Sequence, residues 1–311
     1  MTDRIGIDTR AGWAAARSSM EAGTRKHTPR GVRRRRQWPL FEAALAGFGV
    51  ALRGVGLYRR GVMNALDIEL SEVELAFPHL PAPFDGYRVL HLADLHLDAH
   101  PALAKRAAAL ARRAQCDLCV LTGDYRYRIY GPIDSAMAGI ARLARALDAR
   151  DGTYAVLGNH DTVEMVPALE TLGIRVLTNQ TVSIARNDAA LHVTGIDDVH
   201  YFYSDDAAEA LGRAPDGFRL ALVHSPEMVR PAAESGIALY LTGHTHGGQV
   251  CLPGGLPLVT HSEAGRRYAV GLWRHGDMVG YTSRGIGVSG LPVRFNSRGE
   301  LTLITLRRGG G

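Results

Sequence analysis

Ile237-Ala-Leu-Tyr-Leu-Thr-Gly-His-Thr-His-Gly-Gly-Gln249 passes from an apolar run straight into a loop of glycines and histidines. The apolar residues Ile237 to Leu241 read as a buried strand, and Gly243, Gly247 and Gly248 mark the loop that follows it. His244 and His246 stand two apart on that loop. Away from a strand's pleat, both imidazoles can address one small volume. Glycines on either side let the backbone come close to a ligand or an ion. Two loop histidines alone are equally compatible with an ordinary surface turn. The reading gains weight from other strand ends that carry the same kind of chemistry.

Working outward, Tyr87 to Ala93 predicts a strand that ends in Asp94-Leu-His96. Asp117 to Thr122 predicts another, ending in Gly123-Asp124, and Thr153 to Leu157 a third, ending in Gly158-Asn-His-Asp161. Residues 218–223 form a further apolar run ahead of His224. Between these lie predicted helices at Ala102 to Ala114, Ile133 to Leu147 and Pro167 to Leu172. Leu66 to Phe77 alternates apolar and polar residues, as a strand with one buried face does. From about residue 174 onward short β-type runs dominate, at 174–177, 190–195, 218–223, 237–242, 267–273, 279–284 and 301–306. Strands alternating with helices imply crossover units and layered sheet packing, an α/β fold. No internal repeat and no compositional break interrupts residues 87–307.

The 311 residues are 46% hydrophobic, enough for a sizeable core. The formal charge of +5 is unevenly spread. Residues 1–60 hold 13 Lys and Arg against 4 Asp and Glu, a net of +9, so the rest of the chain carries −4. A basic arm on a mildly acidic body points to an anionic partner for the arm. The acidic body argues against a nuclease, which would place its positive charge around the cleft, so no nucleic-acid partner is expected. The three cysteines, Cys116, Cys119 and Cys251, are too few for a disulfide framework. Cys116-Asp-Leu-Cys119 has no partner pair and reads as strand residues. Residues 1–37 are polar and rich in Arg, Ser, Thr and Gly, and are expected to be a disordered basic arm. Residues 38–64 are expected to form an amphipathic helix. Its apolar run of about 14 residues is shorter than the roughly 20 a spanning helix needs. Trp38, Phe41, Phe48 and Tyr58 among flanking arginines fit a helix lying in a membrane interface through residues 33–60; a helix packed on the body fits as well. Residues 65–311 form the remaining domain.

Asp94, His96, Asp124, Asn159, His160, His224, His244 and His246 therefore all fall at carboxyl ends of strands. That is the edge where α/β sheets build their sites. Carboxylate, imidazole and amide oxygen together suit borderline or hard divalent ions. Eight such residues exceed one tetrahedral site, so two metals are the economical reading. Two metals need a bridging carboxylate, and they clamp the attacking and leaving oxygens of a phosphoryl group. Asp124, alone after a glycine, suits the bridge.

The blocks Asp94-x-His96, Gly123-Asp124, Gly158-Asn159-His160-Asp161, His224 and Gly243-His244-x-His246 resemble, in order and interval, the calcineurin-like metallophosphoesterase superfamily. The longer Gly243-to-Gln249 form, with Arg284-Gly-Ile-Gly287 and Leu291-Pro-Val-Arg294, is similar to a bacterial branch of membrane-associated phosphodiesterases. That branch includes a UDP-2,3-diacylglucosamine pyrophosphatase of lipid A synthesis. The resemblance implies a four-layer sandwich, two mixed β-sheets face to face with helices outside. It implies that Asp94, His96, Asp124 and His246 hold one metal, and Asp124, Asn159, His224 and His244 the other. His160 would then donate a hydrogen bond or proton to the phosphoryl or leaving-group oxygen, and Asp161 would orient His160. Mn2+ is the first expectation for the ions, with Fe, Zn or Mg as alternatives. Many members continue Gly-Asp-x-x-Asp, whereas here Tyr125-Arg126-Tyr127-Arg128 follows Asp124. That offers Arg126 and Arg128 as substrate-phosphate contacts or, equally, as a solvated loop. The expected activity is metal-dependent hydrolysis of a phosphodiester or pyrophosphate by an activated water, on a lipid-linked or nucleotide-diphosphate substrate at the cytoplasmic face of the inner membrane. A soluble phosphomonoesterase or cyclic-nucleotide phosphodiesterase is the alternative enzyme. A binding scaffold without catalysis is the alternative of another class.

Overall fold

The computed structural model describes residues 3–23, 25–34, 39–260 and 262–309. The chain opens with α1 (Asp3–Ala22), the hairpin β1 (Arg25–Thr28) and β2 (Gly31–Arg34), α2 (Pro39–Gly54) and α3 (Tyr58–Leu66). It continues through β3 (Glu69–Phe77), β4 (Tyr87–Leu92), α4 (Leu103–Ala111), β5 (Leu118–Leu121), α5 (Asp134–Ala144), β6 (Thr153–Ala155), α6 (Met165–Thr171) and β7 (Ile174–Val176). The second half holds β8 (Gln180–Arg186), β9 (Ala189–Gly195), α7 (Asp205–Gly212), β10 (Phe218–Leu222), α8 (Val229–Glu234), β11 (Leu239–Thr242), β12 (Gly271–His275), β13 (Met278–Thr282) and β14 (Glu300–Arg308).

Two six-stranded mixed sheets result, ordered β3-β14-β4-β5-β6-β7 and β12-β13-β11-β10-β9-β8. Strand alternation explains how they pack. On β4, Val89 points between the sheets, where it meets Val120, Leu220, Leu239 and Ile304. Its neighbour Leu90 points the other way, into a second core with Ala107 of α4, Ile140 of α5 and Leu169 of α6. A third core joins Ala221 and Tyr240 to Ala210 of α7 and Ala232 of α8. Helix, sheet, sheet, helix is the expected four-layer sandwich. Strands covered on both faces read as continuous apolar runs, which is why β4, β5 and β11 stood out in the sequence. The parallel pairing of β4, β5 and β6, and of β9, β10, β11 and β13, brings their carboxyl ends to one edge.

The N-terminal segment differs from the expectation of disorder. Residues 3–22 are helical and residues 25–34 form a hairpin. The reason is tertiary: Trp13, Arg17 and Glu21, spaced four apart on one helix face, all bond to the sandwich. The expected single helix over 38–64 is two helices. Gly56, at φ +74°, and Gly54 end α2 before α3 begins. Arg35, Arg36 and Trp38 lie outside the described residues, as do the side chains of Arg34 and Phe41. Among the described residues no helix is long and apolar enough to cross a membrane.

Candidate metal centre

Each expected ligand sits just past a strand end, on backbone forced into a tight turn. Asp94, His96, Asp124, His244 and His246 all have positive φ, between 38° and 69°. Non-glycine residues rarely adopt that region, and such strain gathers at functional sites. The turns are packed against glycines. A Cβ on Gly158 would lie 2.3 Å from Asp124 Oδ1, and one on Gly243 would lie 2.6 Å from Asp94 Oδ2. Gly287 of the Arg284-Gly-Ile-Gly287 stretch passes so close to His96 that an added Cβ would lie 2.6 Å from that residue's Cβ.

The side chains converge. Asp94, His96 and His246 present ligand atoms within 4.8 Å of one another, and so do Asp124, His224 and His244. Asp124 stands between the two groups. Its Oδ1 lies 3.5 Å from His224 Nε2, and its Oδ2 lies 3.6 Å from His96 Nε2. Asn159 Oδ1 lies 3.0 Å from His224 Nε2, and His244 Nδ1 lies 3.2 Å from the same nitrogen. His96 and His246 stack at 5.1 Å. All these residues are buried.

Outer partners fix the rings. His96 Nδ1 donates to the Arg126 carbonyl (2.7 Å) and His224 Nδ1 to the Thr122 carbonyl (2.8 Å), which leaves each Nε2 facing the centre. Such second contacts set which nitrogen is free to ligate. The Asp94 carboxylate accepts from the His244 amide at 2.9 Å. His160 Nδ1 meets the Tyr127 carbonyl at 2.8 Å, leaving Nε2 3.9 Å from Asp124 Oδ2.

Electrostatics follow burial and neighbours. Burial drives His96 down to about 3 and His246 well below its ordinary value, so both stay neutral with a lone pair to offer. Burial alone would raise Asp124. The His224 imidazole beside it, with the His160 backbone amide that donates to Oδ1, outweighs it and holds the carboxylate well below the usual range. The donor set fits divalent ions. His96 Nε2 and His246 Nδ1 are buried polar atoms without a hydrogen-bond partner, an arrangement proteins avoid unless something else satisfies them.

Two of the implied roles are corrected. Asp161 does not orient His160. Its carboxylate accepts from the amides of Asp124 (2.7 Å), Tyr125 (2.8 Å) and Gly158 (2.7 Å). It therefore ties the two ligand-bearing loops together, and the Tyr127 carbonyl orients His160. Arg126 is only 3% exposed, with its guanidinium spent on the carbonyls of His160, Ile129 and Gly131. It holds the loop through these carbonyls. Arg128, on the same loop, is exposed.

Sequence reading missed several residues that shape the site. Buried Arg294 donates to the carbonyls of His246, Arg284, Gly285 and Gly287, clasping the loop that carries His246. Arg17 reaches the Gly158 and Asp161 carbonyls from α1. A cavity of about 170 Å3 adjoins the centre, lined among others by Glu21, Arg126, Tyr130, Asn159, Asp161 and Phe202. The four-residue spacing of Trp13, Arg17 and Glu21 was the available signal for the docking of α1. Cys116, Cys119 and Cys251 are free thiols, and that of Cys251 donates to the Gly247 carbonyl at 3.2 Å beside His246.

Comparison with known proteins agrees with this geometry. Residues 87–248 match the model of the calcineurin-like phosphoesterase family. The chain is 31% identical to the uncharacterized metallophosphoesterase YkuE of Bacillus subtilis (strain 168), across 86% of this chain and 95% of that protein. It is 31% identical to the phosphodiesterase YaeI of Escherichia coli (strain K12), across 72% of this chain and 83% of that one. A transmembrane protein with metallophosphoesterase domain from Danio rerio is 28% identical across 80% of this chain and 60% of its own length.

Proposed function

The chain belongs to the calcineurin-like phosphoesterase family, and from that premise we propose that it hydrolyses a phosphodiester or pyrophosphate whose substrate is lipid-linked or a nucleotide diphosphate, at the cytoplasmic face of the inner membrane. The observation that carries the phosphoesterase reading is the position of Asp124. Its two oxygens face two separate histidine groups, the arrangement a carboxylate shared by two ions requires. Asp94, His96, His246 and Asp124 would hold one ion, and Asp124, Asn159, His224 and His244 the other. Bound there, divalent ions (Mn2+ being our first choice) would supply Lewis-acid charge for the phosphoryl oxygens and a water of lowered pKa.

The chain's own residues do the rest. Burial of the ligands keeps bulk water from screening charges at the reacting centre. His160 has its Nδ1 engaged by the Tyr127 carbonyl, so any proton it passes to a leaving oxygen departs from Nε2. Asp161 holds Asp124 and the Gly158 turn in register. Exposed Arg128 stands on the loop beside His160's partner Tyr127, and we assign it the outer phosphate contact.

A lipid-linked substrate is supported by the surface. Around α2 and α3, Phe48, Val50, Val55, Leu57 and Met63 are exposed beside exposed Arg53, Arg59 and Arg60. Past His246, the loop at 252–259 exposes Leu252, Leu256, Leu258 and Val259. The stretch leading into that loop and α3 both meet the segment 289–295: Gln249 bonds to the Ser289 and Leu291 carbonyls, and Gly61 of α3 lies against Val293 and Phe295.

The test is hydrolysis by the purified full chain with Mn2+ and with chelator. Bis-p-nitrophenyl phosphate, p-nitrophenyl phosphate and UDP-2,3-diacylglucosamine form the panel. We expect Mn2+-dependent turnover of the diester, reduced about 10²–10⁴-fold by His160→Ala, and UMP release from the UDP-lipid. Turnover of the generic diester alone would discard the UDP-lipid. No turnover with any divalent ion would sink the hydrolase and leave a binding scaffold.

A further inference from the structure

Arg17 sits on α1, far in sequence from every expected ligand, yet its side chain is fully buried. A buried guanidinium is costly unless each donor is met. Here Nε donates to Glu21 Oε1 (3.0 Å) and Nη1 to Asp197 Oδ1 (2.5 Å). Nη2 donates to the carbonyls of Asp161 (2.9 Å) and Gly158 (3.3 Å). The guanidinium carbon also lies 3.6 Å from the centre of the Phe202 ring. Trp13 Nε1 donates to the other oxygen of Asp197 (2.8 Å), and Glu21 accepts from the Val163 amide (3.0 Å). One face of α1 is thus bonded to both sides of the turn Gly158-Asn-His-Asp161.

The two carbonyls that Arg17 holds bracket Asn159 and His160. Those are the residues that stand beside His224 and at the Asp124 carboxylate. We propose that Arg17 is a positioning residue for the reaction, and that α1 is a working part of the catalytic site and not a tail. Through the Gly158 and Asp161 carbonyls, Arg17 sets where the Asn159 amide oxygen and the His160 imidazole stand. Its charge is met by the carboxylates of Glu21 and Asp197, and the Val163 amide and Trp13 Nε1 donate to those same two groups. The inference rests on the phosphoesterase reading for its word "reaction", but its geometry concerns the Asn159 side of the centre alone.

The experiment compares the full chain with Arg17→Ala and Arg17→Lys, with Arg10→Ala as control. Arg10 lies on the same helix and makes only a surface pair with Glu170. Two readouts are taken: Mn2+ titration by calorimetry, and steady-state hydrolysis of bis-p-nitrophenyl phosphate. Partners that orient a metal ligand are commonly worth about 10- to 100-fold in affinity or activity. For Arg17→Ala we expect the weaker Mn2+ equivalent to lose affinity by about tenfold while the tighter one is unchanged. We expect kcat to fall with KM unaltered, and added guanidinium to restore part of it. Arg17→Lys keeps the charge but cannot span Asp197 and both carbonyls, so it should fall between wild type and Arg17→Ala. Arg10→Ala should match wild type. If Arg17→Lys equals wild type in both readouts, or if Arg17→Ala lowers thermal stability while leaving the second Mn2+ equivalent and kcat intact, α1 is only structural and the proposal falls. If wild type turns over nothing while Arg17→Ala still weakens the second equivalent, the positioning role stands and the hydrolase reading is what fails.

Discussion

Asp94, His96, Asp124, His244 and His246 hang from backbone with φ between 38° and 69°, and that strain is held by side chains that never touch an ion. Asp161 illustrates the cost of removing one. Its carboxylate accepts three backbone N–H groups, from Asp124, Tyr125 and Gly158. Asp161→Asn keeps the shape, but its amide nitrogen must face an N–H donor. The expected loss is about 1–3 kcal/mol for the buried group left unsatisfied, read by thermal unfolding, together with weaker Mn2+ binding through misplaced Asp124. Unchanged stability and affinity would mean the turn does not depend on that carboxylate. His91 makes a different prediction. It is buried on β4 with Nε2 2.9 Å from Thr122 Oγ1, and burial lowers it from 6.5 to about 4. The folded state therefore resists the proton that the unfolded chain accepts. That stability is present above about pH 6.5 and is lost as pH falls toward about 4, where the loss levels off. The full effect is roughly 3 kcal/mol, at about 1.4 kcal/mol per pKa unit. His91→Gln should flatten denaturant-derived stability across that window, and an unaltered profile would assign the acid limb elsewhere. The residues that converge at the centre were legible at this scale because strand ends and glycines label them. The anchoring roles of Arg17, Arg126 and Arg294 were not, since a buried arginine and a solvated one read alike in sequence.

At the scale of elements, the strands buried on both faces announced themselves as apolar runs: β4, β5, β10 and β11 lie within a few residues of where periodicity put them. What went unread were β8, a half-exposed strand, and the short helices α7 and α8, which take their order from packing against the second sheet. The two-helix arm was read as one helix because its apolar character continues across the glycines. Only their conformation, with Gly56 at φ +74°, breaks it. Gly61 on α3 tests how the arm is docked. An added Cβ would lie 2.7 Å from Val293 Cβ and 2.8 Å from Phe295 Cζ, and the Gly61 carbonyl accepts the Arg294 amide at 3.0 Å. Gly61→Ala should therefore destabilise by about 1–3 kcal/mol as an overpacked contact, although Ala is the better helix former by up to about 1 kcal/mol. A gain in melting temperature would show that the 293–295 segment yields freely and that α3 is loosely seated.

For the whole molecule, part of the uneven charge stands beside exposed apolar residues, at Arg53, Arg59 and Arg60 of α2 and α3. The first 60 residues carry +9 while the rest carries −4. Two of the bonds that tie the N-terminal helices to the body lead to the metal centre. Arg17 joins α1 to the Gly158–Asp161 turn, and Asn64 Nδ2 donates to the carbonyl of Arg294, whose guanidinium clasps the His246 loop. Basic and apolar groups that would meet a lipid surface are therefore mechanically continuous with both sides of the metal centre. Exposed Val50, Val55, Leu57 and Met63 supply apolar area, and Arg53, Arg59 and Arg60 supply charge beside them. Each basic residue near an anionic leaflet is worth about 1 kcal/mol, or roughly fivefold in partitioning. Full-length protein should sediment with vesicles containing phosphatidylglycerol, release as salt rises through the range that screens surface charge, and ignore purely zwitterionic vesicles. Arg59→Glu with Arg60→Glu should cut partitioning by at least about tenfold while leaving hydrolysis of a water-soluble diester unchanged, since neither side chain reaches the centre. Hydrolysis of the UDP-lipid in those vesicles should fall in step with partitioning. Equal binding to charged and neutral vesicles would leave the apolar residues as the sole anchor, and no binding to either would return the arm to the role of a helix pair packed on the body.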